Sequence, residues 1–137
     1  MNPVTIFLDT SGLFALLDSD DRFYNPACEI WERWNTKGVT LVTSNYVVLE
    51  ASTLVQRRLG IASLQVLHTH VLVPTQIQWI SEPVHQRAVT NLLTANRRQL
   101  SLVDCSSFVL MRDLGLHHVF TFDKHFVEQG FTCVPQP

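Results

Sequence analysis

The sequence predicts an α/β fold on a mostly parallel central sheet. Short β-branched and aromatic runs alternate with helix-like segments along the whole chain. The chain has 137 residues, one domain's length, and residues 1–137 read as a single domain without linker, repeat or low-complexity stretch. A domain of this size buries roughly 68% of the surface its unfolded chain exposes, so a core forms without staples.

Val4 to Leu8 (VTIFL) reads as a buried strand. Thr10 or Ser11 can cap a helix from Gly12 to Leu17, and Asp9 competes for the same task. Asp18 to Asn25 is a polar loop. Pro26 suits the first turn of a helix through Thr36, which Gly38 stops. Val39 to Val42 is a second strand. Thr43-Ser44-Asn45 opens a long helix through Arg58, closed by Gly60, and another helix covers Ala62 to Val71 before Pro74. Ile77 to Ile80 reads as a third strand, and Glu82-Pro83 opens a helix to about Arg98. Asp104 to Leu114 is a helix stopped by Gly115, and His118 to Phe122 is a fourth strand. Lys124 to Gln129 is a short helix, and Phe131 to Val134 suits an edge strand.

Composition narrows the function classes. The chain is 46% apolar and 16% charged with a net charge of −2, so the coat of a structural nucleic-acid binder is missing. The three cysteines, Cys28, Cys105 and Cys133, have neither disulfide nor zinc spacing and read as buried thiols of a reducing compartment. The N-terminus lacks the basic region of a signal peptide, and no apolar run reaches the ~18 residues of a membrane span. A cytoplasmic protein is expected.

Four acids sit in apolar company. Asp9 follows the first strand and Asp123 the fourth, at the strand ends where open parallel sheets bind ligands. Glu50 shares a helix face with Tyr46, Val47 and Leu54. Asp104 stands at a helix start between apolar residues. Each has an ordinary explanation: helix caps for Asp9, Asp104 and Asp123, a partly exposed side chain or buried pair for Glu50. Together they suggest more. Two like charges ~4 Å apart repel by roughly 4 kcal/mol at an effective dielectric of 20. Carboxylates sharing a crevice therefore need a cation or protons. Oxygen ligands favour Mg²⁺ or Mn²⁺ over zinc, and Mg²⁺ commonly takes one or two carboxylates plus substrate phosphate oxygens.

The stretches FLDTSGLFALLD, TSNYVVLEASTLVQRRLG, LSLVDCSSFVLMRDLGL and VFTFDKHF resemble PIN-domain ribonucleases, closest to the VapC-like toxins of toxin–antitoxin pairs. The likeness spans nearly the whole chain and keeps the order Asp, Glu, Asp, Asp. It implies a three-layer α/β/α fold and a Mg²⁺- or Mn²⁺-dependent endoribonuclease. Asp9, Glu50, Asp104 and Asp123 would form the catalytic site. Asp9, Asp104 and Asp123 would hold the metal, Glu50 would orient water or bind a second ion, and Thr121 and Ser11 would support the site by hydrogen bonding. The resemblance also implies RNA as substrate, an antitoxin partner and a homodimer.

Other residues admit two readings. Trp31 and Trp34, one helical turn apart near Phe14, Phe23 and Tyr24, suit either a core stripe or a groove for a partner helix. Arg22, Arg57, Arg58, Arg97, Arg98, Arg112, Lys124 and His125 are candidate RNA cations or solvated charges. The six histidines lack metal-ligand spacing with cysteine and read as structural or surface groups. A haloacid-dehalogenase-like phosphatase also begins with Asp after its first strand, but needs a second Asp where this chain has Ser11. A receiver domain needs paired N-terminal acids and a late lysine, which are not evident. A non-catalytic PIN-fold binding module for RNA or protein is the rival of another class.

Overall fold

The computed structural model describes residues 4–136. Its frame is a five-stranded, all-parallel sheet flanked by seven α-helices, a three-layer α/β/α arrangement. The strands are β1 (Thr5–Leu8), β2 (Thr40–Ser44), β3 (Thr75–Gln78), β4 (His118–Phe120) and β5 (Thr132–Val134), in the order β3-β2-β1-β4-β5. Helices α1 (Thr10–Leu17) and α2 (Tyr24–Lys37) link β1 to β2; α3 (Asn45–Leu59) and α4 (Ile61–Val66) link β2 to β3. Helices α5 (Glu82–Ala95) and α6 (Leu102–Leu114) link β3 to β4, and α7 (His125–Glu128) links β4 to β5. Parallel neighbours need such crossovers, which cover both faces of the sheet.

The sequence sets most of these boundaries. β1 is TIFL, with Ile6, Phe7 and Leu8 fully enclosed, as a strand covered on both faces demands. Gly38 and Gly115 end α2 and α6 in the left-handed conformation that glycine tolerates best. Asn96 does the same for α5, ending it before the expected Arg98.

Four expectations are corrected. Helix α1 begins at Thr10 and is capped by Asp9, whose side chain accepts from the Ser11 N–H; neither Thr10 nor Ser11 is the cap. Strand β3 begins two residues earlier than Ile77, because Thr75 pairs with Leu41 and Gln78 with Ser44. Past Gln78 the backbone leaves the ladder, and the Ile80 N–H donates to Asn45 Oδ1 (2.7 Å). The segment after Gly60 is α4 followed by a π-helical turn over Leu67–Val71. Asp104 is the third residue of α6, and Ser101 is its cap.

The order of the strands reverses between β1 and β4, and the crevice above their carboxyl ends is where such sheets bind ligands. Helix α1 packs very closely onto this seam. A Cβ at Gly12 would lie 2.5 Å from the Phe120 carbonyl oxygen and 2.7 Å from Phe120 Cδ2. The backbone cannot yield as a flexible side chain can. Gly12→Ala should therefore destabilise the protein by about 1–3 kcal/mol, read as a lower midpoint in urea unfolding, whereas an ordinary helical glycine gains stability from this change.

Candidate active site

The crevice gathers Asp9 from the end of β1, Thr121 and Asp123 from just after β4, and Asp104 from the first turn of α6. Helix α3 brings Glu50, which is half-buried and carries enough of its field to the site to raise Asp104. The four acids of the sequence analysis thus converge, from segments up to 114 positions apart (123 − 9).

Asp9 is the most enclosed, at 2% exposure. Its Oδ2 accepts from Thr121 Oγ1 (2.8 Å), Ser11 Oγ (3.0 Å) and the Ser11 N–H (3.4 Å). The Ser11 and Thr121 hydroxyls are themselves 2.9 Å apart. Ser11 Oγ also accepts from the Phe122 N–H (2.9 Å), and Thr121 Oγ1 from the Asp123 N–H (3.0 Å). Two hydroxyls therefore clamp the end of β1 to the chain that leaves β4. Asp9 Oδ1 is buried and, among the described residues, has no hydrogen-bond partner. A carboxylate oxygen in that position is costly unless something outside the described residues engages it.

Asp104 repeats the pattern. Its N–H donates to Ser101 Oγ (3.0 Å), and its Oδ2 accepts from the Ser101 N–H (3.1 Å), a reciprocal capping box. Among the described residues no hydrogen bond reaches its Oδ1. Asp123 commits Oδ1 to the His125 N–H (2.9 Å), and Oδ2 takes no hydrogen bond among those residues. Each aspartate fixes its own rotamer through one oxygen and leaves the other open. Of the three, only Asp9 is itself a helix cap; Asp104 completes the Ser101 capping box and Asp123 closes a turn onto the His125 N–H.

The sequence offers His125 as a candidate RNA cation or structural group, and the structure places it among the acids instead. It is buried at 9% exposure, and its Nδ1 lies 2.8 Å from Asp123 Oδ1 without the alignment of a hydrogen bond. Asp104, Asp123 and His125 each offer one ligand atom, all within 4.8 Å of one another. The signal was its place two residues beyond Asp123, not any spacing to cysteine.

Burial sets the electrostatics. It pushes the Asp9 carboxyl up to about 7; hydrogen bonds from Thr121 and Ser11 oppose the shift, and the charges of Asp104 and Asp123 reinforce it. Burial likewise raises Asp104, against the bonds at Ser101 and with the charges of Asp123 and Glu50. Carboxylates raised in this way are neutralised either by protons or by a cation. The unpartnered Asp9 Oδ1 and the Asp104–Asp123–His125 group fit a divalent ion in donor type and burial.

Trp34 proves to be core, and Trp31 is partly buried against it. Trp34 is buried edge-on to Phe120 (5.2 Å between ring centroids), and Trp31 packs against both rings. Several candidate cations already have partners. Arg97 pairs with Glu128 (2.7 Å), and Arg112 binds Gln129 and lies over Phe131. Arg22 and Lys124 are exposed beside the crevice.

Comparison with known proteins decides the family. The PIN domain model matches residues 6–131. The chain belongs to the PIN domain family. It is also 30% identical over 130 residues to the 23S rRNA-specific endonuclease VapC20 of Mycobacterium tuberculosis, covering 94% of this chain and 97% of that protein. The crystal structure of VapC20, a sarcin–ricin-loop-cleaving toxin, superposes with a TM-score of 0.83 at 28% identity, covering 93% of this PIN domain chain and 96% of VapC20. FitAcB from Neisseria gonorrhoeae shares the fold, with a TM-score of 0.66 at 18% identity over 93% of this chain and 95% of that one.

The raised Asp9 predicts how stability varies with pH. Between about pH 4 and 7 the folded chain keeps a proton on Asp9 that the unfolded chain has released. Stability in EDTA therefore falls as pH rises through that window. The ceiling is on the order of 4 kcal/mol, at about 1.4 kcal/mol per unit. Asp9→Asn should flatten most of this slope, measured by urea unfolding of both proteins at pH 4.5, 6 and 8. An equal slope in the two proteins contradicts the assignment.

Proposed function

We propose that this protein is a divalent-metal-dependent endoribonuclease, the toxin of a toxin–antitoxin pair. The observation that carries the reading is the set of acids around a buried, unpartnered Asp9 Oδ1, in a chain that aligns along almost its full length with a 23S rRNA endonuclease. By the same likeness, large-subunit ribosomal RNA is the first substrate to test.

Asp9, Asp104 and Asp123 would hold Mg²⁺ or Mn²⁺, with His125 close enough to join them. A bound divalent ion supplies a water of lowered pKa and positive charge against the phosphate oxygens. The protein's own residues do the rest. Ser11 and Thr121 fix Asp9 with one oxygen turned away from them. The Ser101 cap fixes Asp104 in the same way. Glu50, facing the site from α3 without a hydrogen bond among the described residues, orients the attacking water and receives its proton.

The phosphatase rival meets an obstacle here. Its nucleophile would be Asp9, which is almost fully enclosed and held by three hydrogen bonds on one oxygen. No helix of the described residues is long and apolar enough to cross a membrane, in keeping with a cytoplasmic toxin. By the same likeness to toxin–antitoxin nucleases we read the protein as a homodimer.

The test is cleavage of total bacterial RNA, with ends mapped by sequencing, in Mn²⁺, Mg²⁺ or EDTA. Wild type should give discrete cuts that EDTA abolishes. Asp104→Asn keeps its cap oxygen, so it should fold yet cut at least about a thousandfold more slowly, the scale of losing a principal catalytic group. Thr121→Val, which acts through its bonds to Asp9, Ser11 and the Asp123 N–H, should cost roughly 10- to 100-fold in metal affinity or rate. Metal-independent cutting, or an active Asp104→Asn, excludes the mechanism.

A further inference from the structure

Beside the acids lies a cavity of about 300 Å³ that the mechanism above does not use. Thr121 and Asp123 form one wall, so the cavity opens onto the crevice where a scissile phosphate must sit. Its remaining surface is largely apolar: Phe23, Phe122, Pro26, Val127, Cys133 and Pro135. Phe23 and Phe122 are stacked, with centroids 4.4 Å apart and planes 6° from parallel. Cations stand at the edge. Lys124 lines the cavity, and the Arg22 guanidinium lies 4.5 Å from the centroid of the Phe23 ring. Gln136 adds an amide that can both donate and accept.

Resting on the nuclease reading, we propose that this cavity is a nucleobase pocket, receiving an unstacked base next to the phosphate that is cut. Its volume lies at the small end of ligand pockets and suits a planar ring system. A partner helix, about 10 Å across with its side chains, would not enter it. Proteins read single-stranded RNA by taking splayed bases onto aromatic rings and arginine planes. Phe122 carries the aromatic surface, backed by Phe23, whose own ring is already covered by Phe122 and the Arg22 guanidinium. Lys124 adjoins Asp123 in sequence, where the neighbouring phosphate needs a positive charge in a chain whose net charge is −2. The pocket thus makes base identity beside the cut a property of the α1–α2 turn and the β4–α7 loop, sharing the Thr121–Asp123 wall with the metal site.

The test measures binding without cleavage. Fluorescein-labelled single-stranded RNA of roughly eight nucleotides, and an abasic ribose-phosphate strand of the same length, are titrated in EDTA and followed by anisotropy. Wild type should bind the base-bearing RNA about tenfold or more tightly than the abasic strand, the range of stacking one base on an aromatic ring. Phe122→Leu and Phe23→Leu should each shrink that ratio several-fold and leave abasic affinity unchanged. Phe122→Tyr, which keeps the ring, should preserve it. Melting curves identify any variant that does not fold, and the wild-type comparison stands without the variants. Equal affinity for both strands, no binding of either, or a ratio unchanged in both leucine variants overturns the pocket. The last outcome would hand the cavity to a protein partner. Cleavage in Mn²⁺ is scored separately. Base-selective binding without cutting removes the nuclease reading and keeps the pocket, and cutting without base selectivity does the reverse.

Discussion

Asp9 Oδ2 holds this site together. Three hydrogen bonds from Ser11 and Thr121 converge on it, and the same two hydroxyls accept the backbone N–H groups of Phe122 and Asp123. One carboxylate oxygen thus caps α1, joins the ends of β1 and β4, and sets the path of the chain that carries Asp123. Asp9, Thr121 and Asp123 take their positions from this knot, while Asp104 is held by its own capping box with Ser101. The requirement reaches into the core as well, because the chain can pass this way only if α1 lies against Phe120, and that contact leaves room for glycine alone at position 12.

The knot is stable locally and unfavourable globally. It holds Asp9 buried near two other carboxylates, and that burial lifts its proton affinity toward neutrality against the knot's own hydrogen bonds. Caps alone would not need three aspartates to face one another. The fold accepts this repulsion at the one place where parallel sheets present ligand sites, and the oxygens left open are the ones that a cation would neutralise. In each of these side chains one oxygen is spent on local hydrogen bonds, and the other stays available to a ligand.

Much of this was legible in the sequence. The alternation of strand and helix and the placement of Asp9 and Asp123 after β1 and β4 follow from local pattern, because strands buried on both faces read as continuous apolar runs. What local pattern misses is set by distant partners. Strand β3 is fixed by its pairing with Leu41–Ser44, not by its own apolar residues, of which Ile77 is partly exposed and Trp79 lies outside the strand. The role of Asp104 in a capping box depended on recognising Ser101 three residues earlier. His125 was hidden because a histidine near no cysteine carries no pattern; only the turn after β4 brings it to Asp104. The aromatic pair that mattered was Phe23 with Phe122, nearly a hundred residues apart, and not the adjacent Trp31 and Trp34.

The central claim is that the open oxygens of Asp9, Asp104 and Asp123 surround one divalent ion. A crystal of the protein grown with Mn²⁺, with diffraction recorded at a wavelength where manganese scatters anomalously, tests it most directly. The account predicts an anomalous peak bonded to Asp9 Oδ1 and to carboxylate oxygens of Asp104 and Asp123. A crevice without a peak at millimolar Mn²⁺, or an ion bound with Asp9 Oδ1 still unpartnered, would contradict it.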